Sequence, residues 1–515
     1  MITKANPIGL VLIIIVMMVQ RMDAEFQWEE TTIARTHAAM LAGEVTSQEL
    51  VERYLQRIDQ FDQSSGLNAI VVTNPKALQE ASALDEHLRR TGELVGPMHG
   101  IPVIVKDNMD TAGLQTTGGS AAMAGYEPEE DAFLVRHLRE AGAVVLAKSN
   151  MGEWALIPFR NVSSILGETR NAYHLDYPAP GSSGGTASAV AANFGLIGLG
   201  TDTGSSIRGP AASLGLVGLR PTLGLVSRAG IIPQHYTRDA AGPITRTVED
   251  AARILEVIAG PDPDDPLTST IADQRTSNYT DALVPTAIRG MRIGVLRELG
   301  NPENTDPEIL ALFSQAMADL AALGAEIVDP FVVPEFAELS ENLWCNTFRY
   351  DLERYLAAAN EPPVRTIREI LDAGNHTDAL RDYLQESLAI DLAPDDQQPP
   401  CTDHLTDPRR IRFREAILEA MDAADVTLLV YPSWGYPPRP LADFGGPFGN
   451  NSSRIAPHTG QPAITVPMGI SGNGIPAGVQ FLGRPFSEST LLAAAYAYEQ
   501  KTRHRKTPEA FATSR

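Results

Sequence analysis

Ile101-Pro-Val-Ile-Val-Lys106-Asp107-Asn108 decides the fold once it is read together with the downstream helical stretch from Phe133 to Glu140 and the apolar segment Ala143-Val-Val-Leu-Ala147. The turn residues Gly96-Pro97 and Gly100-Ile-Pro102 lead into Val103-Ile-Val105, a β-branched triplet that predicts a short strand with Lys106 at its end. Strand, helix and strand in this order make a βαβ unit, whose two strands lie parallel with the helix across one face. The expected class is α/β, with a side chain of chemical interest at a strand terminus.

Outward from this unit, Thr46-Ser-Gln-Glu49 reads as a capping box before the amphipathic run from Leu50 to Phe61. Between residues 182 and 206 the chain runs from a glycine loop through a small-residue helix (Thr186-Ala-Ser-Ala-Val-Ala-Ala192) and a strand (Leu196 to Leu199) to a second glycine loop. Alanine and serine let that helix approach its neighbours closely, which would hold the two loops against each other. Ala463-Ile-Thr-Val466 and Gly478-Val-Gln-Phe-Leu482 are expected to complete the sheet, with a helix from Leu491 to Glu499 over it. The acidic, proline-rich segments Gly260-Pro-Asp-Pro-Asp-Asp-Pro266 and Pro394-Asp-Asp-Gln-Gln-Pro-Pro400 read as exposed loops flanking an insertion. About residues 330–430 no motif is recognisable; a mainly helical insertion that sets substrate choice is expected there. The expected organisation is a signal-like or anchor segment over 1–25 and one domain over 26–515.

The chain has six lysines, at positions 4, 76, 106, 148, 501 and 506, against 41 − 6 = 35 arginines. Arginine stays protonated, whereas a lysine pressed into an apolar wall can lose its proton and act as a base. Downstream lie two serine-bearing loops, Gly181-Ser-Ser-Gly-Gly185 and Gly204-Ser-Ser-Ile-Arg208. Together they supply a base, a relay and a nucleophile without histidine. Amide hydrolysis needs that set, because the nucleophile must be deprotonated and the departing nitrogen later protonated. Taken singly the pieces are weak: a lone lysine is more often paired structurally, here with Asp107 or Asp202, and serines beside glycine are ordinary turn residues. Lys148, in Ala147-Lys-Ser-Asn150, reads as structural. Gly181-Ser-Ser-Gly-Gly185 also fits a Gly-x-Ser-x-Gly nucleophile elbow, with Ser183 as nucleophile and His235 or His458 as base. That elbow needs a strand just upstream, where Asp176-Tyr-Pro-Ala-Pro180 has two prolines and no place in a central sheet.

The ordered blocks resemble the amidase signature family, whose members use a Ser-Ser-Lys triad. They are His99-Gly-Ile-Pro-Val103 with Lys106-Asp107, Pro180 to Gly185, Gly200-Thr-Asp-Thr-Gly-Ser-Ser-Ile-Arg208, Gly218-Leu-Arg-Pro-Thr222, Gly242-Pro-Ile-Thr-Arg246 with Glu249-Asp250, Gly460-Gln-Pro-Ala463 and Gly478-Val-Gln480. The look is closest to stand-alone peptide amidases and aryl acylamidases. The resemblance implies a large mixed central sheet covered by helices on both faces, and hydrolysis of a small carboxamide, a peptide amide or an aryl acylamide. It makes Lys106 the base, Ser182 a bridging serine preceded by a cis peptide bond, and Ser206 the nucleophile. Backbone amides of Thr203, Gly204, Ser205 and Ser206 would form the oxyanion hole, and Asp202 and Arg208 would brace the loop. Where the family reads Gly-Gly-Ser, this chain has Gly204-Ser205-Ser206. The family also contains subunits of tRNA-dependent amidotransferases, which is the alternative function. Trp154, Phe159 and Tyr173 lie between the lysine and serine blocks and are candidates for an acyl pocket.

With 43% hydrophobic and 20% charged residues, the composition is that of a globular chain. A formal charge of −23 disfavours a nucleic-acid partner, since phosphate binding needs clustered cations. No metal-ligand cluster or phosphate loop appears, so no cofactor is implied, and a monomer or homodimer acting on a small-molecule amide is expected. Cys345 and Cys401 read as two isolated thiols, with one bridge as the alternative for an exported chain. Lys4 precedes an apolar run over residues 8–19, too short for a membrane span and suited to a signal-peptide core. Export, to the periplasm or beyond, is the expected localisation, with membrane attachment only if that segment is uncleaved; a start at Met22 would make the chain cytoplasmic.

Overall fold

Strand β2 (Pro102–Lys106) lies between two parallel neighbours, β3 (Val144–Ser149) on one side and β4 (Ile197–Asp202) on the other. The helix Phe133–Glu140 connects β2 to β3 with the bounds expected from sequence. The structure, a computed structural model, describes residues 26–270, 274, 276 and 278–512; the apolar run over residues 8–19 lies outside them. Among the described residues no helix is long and apolar enough to cross a membrane.

The full sheet adds β1 (Ile70–Thr73), β5 (Val217–Arg220), β6 (Ala240–Thr245), β7 (Arg292–Leu296), β8 (Glu326–Phe331), β9 (Leu428–Pro432), β10 (Ala463–Ile470) and β11 (Pro476–Leu482). Among the described residues the sheet's eleven strands are ordered β1-β3-β2-β4-β6-β5-β10-β11-β9-β7-β8. Pairing is antiparallel from β4 through β6, β5, β10 and β11 to β9, and parallel again among β9, β7 and β8. The sheet is therefore large and mixed. Both faces are covered, as the alternation of β9 shows. Leu428 and Val430 enter the core built with Ile254, Leu255, Leu491 and Leu492 of the helices Val248–Ile258 and Glu488–Thr502. Leu429 and Tyr431 point the other way, against Phe413, Ile417 and Met421 of the helix Pro408–Ala423.

Local signals place most elements. Thr46 caps the helix Ser47–Ser65 through the Glu49 N–H, and the Glu49 carboxylate accepts from the Thr46 N–H, so the capping box forms. The small-residue helix is Gly184–Ala191, buried along its whole length. A Cβ on Gly185 would collide with the Asn150 backbone, so only glycine lets this helix start so close to the end of β3. The stretch 336–423 is helical, with helices Phe336–Leu339, Phe348–Ala358, Ile367–Ala373, Arg381–Ala389 and Pro408–Ala423. Phe348, Leu352, Ile367, Ile370 and Leu384 from this stretch form a satellite core against Trp154.

Two expectations are corrected. The segment 260–266 is not simply an exposed loop, because Asp262 and Asp265 are buried. Asp262 accepts from the Ser227 hydroxyl, and Asp265 holds the Arg228 guanidinium with Nε at 2.7 Å. Prolines with alternating acidic residues look solvated, and Asp264 is, yet the carboxylates of Asp262 and Asp265 each have a fixed donor. Cys345 and Cys401 are not isolated thiols either; they form a disulfide across 56 positions, with Cα atoms 5.9 Å apart.

Candidate active site

Because β2 and β4 are parallel neighbours, their C-terminal ends lie together, which brings Lys106 beside Thr201 and Asp202. Lys106 is fully buried. Its Nζ lies 2.8 Å from Ser182 Oγ and 2.7 Å from Thr201 Oγ1, while Asn108 Nδ2 donates to that same threonine oxygen at 3.1 Å. Among the described residues no carboxylate pairs with it. Burial pulls its pKa down to about 7, against the opposing pull of Asp202 and Asp239. A neutral amine that donates to Thr201 keeps a lone pair with which to accept from Ser182. Lys148 is different: it donates to Met109 O at 2.7 Å and Thr116 Oγ1 at 2.6 Å and lies 3.6 Å from Asp107. That is a structural tie, as expected.

The Gly181–Ser182 peptide bond is cis, as the family resemblance implies. The Ser183 N–H donates to Ser206 O at 3.3 Å, and this bond draws the two serine loops together across the sequence. Among the described residues no hydrogen bond joins the Ser182 and Ser206 hydroxyls directly. The elbow alternative has no support in the geometry: Ser183 Oγ donates to Thr201 O at 3.2 Å and accepts from Thr201 N at 3.3 Å. The strand upstream, His174–Pro178, pairs only with Arg170–Asn171 in a small ribbon outside the main sheet.

The loop over residues 204–208 is held from beneath. Asp202, at the end of β4, accepts from the Ile207 N–H at 3.1 Å and pairs with Arg208 at 3.1 Å and Arg220 at 3.0 Å. Burial alone would raise this carboxyl, but the two guanidiniums outweigh it and hold it at about 2. Arg208 also donates to Gly204 O at 2.7 Å and to Gln480 Oε1 at 3.1 Å. On the outer side Asn450 donates to Ser205 Oγ at 3.0 Å, and the Thr203 hydroxyl donates to Asp239. None of residues 204–206 has positive φ, so serine at 205 fits where the family carries glycine. Among the described residues, no turn or cap acceptor takes up the N–H groups of Thr203, Gly204, Ser205 and Ser206.

Asp202 carries an expected result. Asp202→Asn leaves two buried guanidiniums without their shared countercharge, a loss of about 3–5 kcal/mol measured by denaturant unfolding at pH 7. Because the folded-state pKa lies below the ordinary carboxylate value, this stabilisation is present above about pH 4 and disappears as pH falls toward about 2. The variant should lose stability at neutral pH and show a weaker acid dependence than the parent.

The three aromatic candidates part company. Trp154 is buried in the satellite core with Phe348. Tyr173 donates to Lys506 O at the C-terminal segment, so it is not in the site. Phe159 does line a pocket, with Pro180, Trp434, Tyr436, Phe444 and Phe448. It stacks on Phe448 with centroids 4.3 Å apart. Pro180 stands two residues before Ser182, and Trp434 Nε1 donates to Gly209 O at 3.0 Å, so this pocket abuts both serine loops. Sequence reading missed Thr201, Asn108, Asp239 and Asn450. Thr201 stands in the block from Gly200 to Arg208, and strand alternation puts it on the opposite side from Asp202; Asp239 and Asn450 are brought in by tertiary contact alone.

The amidase family model matches residues 49–492, and the chain belongs to this family of enzymes acting on carbon–nitrogen bonds. Its relatives include an amidotransferase subunit and stand-alone amidases. The A-subunit of the glutamyl-tRNA(Gln) amidotransferase of Moorella thermoacetica is 36% identical over 490 residues, covering 90% of this chain and 96% of the relative. The solved peptide amidase from Stenotrophomonas maltophilia is 39% identical with a TM-score of 0.81, covering 94% of this chain and 99% of that one. A bacterial aryl acylamidase of the amidase signature family is 25% identical with a TM-score of 0.76, covering 94% and 99%.

Proposed function

We propose that this chain is an amidohydrolase that cleaves a small amide, a peptide amide or an aryl acylamide through an acyl-enzyme on Ser206. The observation that carries the reading is the buried Lys106 amine, 2.8 Å from Ser182 Oγ, whose pKa burial pulls down to about 7. Neutral Lys106 takes the Ser182 proton as Ser182 takes that of Ser206, and Ser206 Oγ bonds to the substrate carbonyl carbon. The N–H groups of Thr203, Gly204 and Ser205 stabilise the oxyanion. As the intermediate collapses, the proton returns through Ser182 to the nitrogen, the C–N bond breaks and the amine leaves. Water then cleaves the ester by the same relay. Asp202 and Arg208 keep the loop in place, and every step uses protein groups and water alone.

The competing reading, one component of a tRNA-dependent amidotransferase, is favoured by the identity to the amidotransferase relatives. The purified chain, with no partner added, is expected to hydrolyse a peptide amide with kcat of about 1–1,000 s⁻¹. Turnover that appears only with partner subunits and tRNA would support the competitor instead. The charge of −23 opposes a nucleic-acid partner. Export is in keeping with a disulfide, which persists in oxidising compartments, and we expect a monomer or homodimer.

A further inference from the structure

Behind the nucleophile loop lies a group of buried cations that the hydrolytic relay does not use. Arg238 and Arg410 are fully buried, and their Nη2 atoms lie 3.3 and 4.0 Å from one atom, Cys345 Sγ. The Arg238 guanidinium stands over the Trp344 ring at 4.2 Å, and His458 meets that same ring edge-on at 4.9 Å. Arg410 Nη1 donates to Thr237 O at 3.4 Å, which closes the group. Arg238 spends Nη2 on backbone oxygens of residues 343 and 345 and on the sulfur. Among the described residues its Nε and Nη1 have no hydrogen-bond partner, and neither do Arg410 Nε, Thr237 Oγ1 and His458 Nδ1.

The charges around this group do not balance. Asp202 is already shared by Arg208 and Arg220. Asp407 lies 2.6 Å from Arg409 and only 3.7 Å from Arg410. Asp239 is engaged by the Thr203 hydroxyl and by the N–H groups of Gln234 and His235. Among the described residues Arg238 makes no ion pair, although a guanidinium keeps its charge when buried. Burial and the neighbouring Arg410 act against that charge; Asp239 and Asp407 favour it, but neither makes an ion pair with Arg238 among the described residues. An unpaired buried cation with two unsatisfied donors is a costly arrangement unless a counterion joins it.

We propose that buried Arg238, Arg410 and His458, with half-buried Thr237, form a site for a small monovalent anion of the halide class. One unpaired guanidinium is balanced by one negative charge, and Arg238, Arg410 and His458 are buried, so a weakly hydrated monoanion fits their chemistry better than a phosphate. His458 can present Nδ1–H to the anion as a neutral donor; burial and the surrounding arginines hold its pKa well below the usual histidine value. Occupancy would fix Trp344. A Cβ built on Gly204 would lie 3.2 Å from the indole, so Trp344 covers the nucleophile loop directly.

Two measurements test the site. Crystals of the wild-type protein soaked in bromide should show an anomalous peak within about 3.5 Å of Arg238 Nε or Nη1. In solution, chloride replacing gluconate at constant ionic strength should raise Tm by about 2 °C between about 1 and 100 mM. Arg238→Gln, which removes the charge and keeps a donor only at about the position of Nε, should lose that dependence. No bromide beside Arg238, or a chloride response that survives in Arg238→Gln, would overturn the proposal; the soak uses the wild-type protein and stands even if the variant does not fold.

Discussion

Ser206→Ala is expected to lower kcat on a peptide amide by about 10⁴- to 10⁶-fold, the range seen when an enzyme loses its covalent nucleophile. On the proposed reading the Oγ atom removed is the one that bonds to the carbonyl carbon, and neither neighbouring serine is placed to replace it. Ser205 is turned toward Asn450, 3.0 Å from its hydroxyl, and Ser183 is locked between the backbone groups of Thr201. The oxyanion-binding N–H groups survive the change, so some rate above the uncatalysed reaction persists. The fold should be unaffected, because alanine fits the buried position and the loop is held by Asp202, Arg208 and Asn450. Steady-state kinetics with a thermal unfolding control measures both halves; unchanged kcat would reject Ser206 as nucleophile.

Lys106→Met should reduce kcat by about 10³- to 10⁴-fold, the contribution of a well-placed general base. Methionine matches the lysine stem in length and carries no charge, so the apolar wall of β2 stays filled. Ser182 loses its proton acceptor and Thr201 Oγ1 loses one donor, at a cost of about 1 kcal/mol each. In the parent enzyme, kcat/KM should fall tenfold per unit as pH drops below about 7. The sign follows from the amine: below its pKa Lys106 is an ammonium with no lone pair, and the relay has nowhere to send the Ser206 proton.

The parts of the molecule legible in sequence are those fixed by local rules. The β-branched run into Lys106, the capping box at Thr46 and the helix Phe133–Glu140 each depend on neighbours a few positions away. The serine blocks were legible as ordered motifs, and Lys106 stood out because lysine is rare here. What escaped depends on distant pairing. That β6 inserts between β4 and β5, and that β10 joins β5, is settled by tertiary packing and not by local pattern. Asp239 reaches Thr203 from 36 positions away and Asn450 reaches Ser205 from 245. Cys345 and Cys401 read as separate thiols because spacing says nothing about which Cα atoms the insertion brings together. Tyr173 looked like a pocket residue because aromatics in a loop carry no label for the direction they face.

The central claim is that Lys106 is uncharged at working pH, and with six lysines in the chain it can be watched directly. In protein labelled with ¹⁵N at lysine Nζ, the resonance missing from Lys106→Met should change from the ammonium to the amine position with a midpoint of about pH 7. If that resonance stays at the ammonium position through about pH 9, near the ordinary lysine range, the side chain is a permanent cation and Ser206 is activated by some other group.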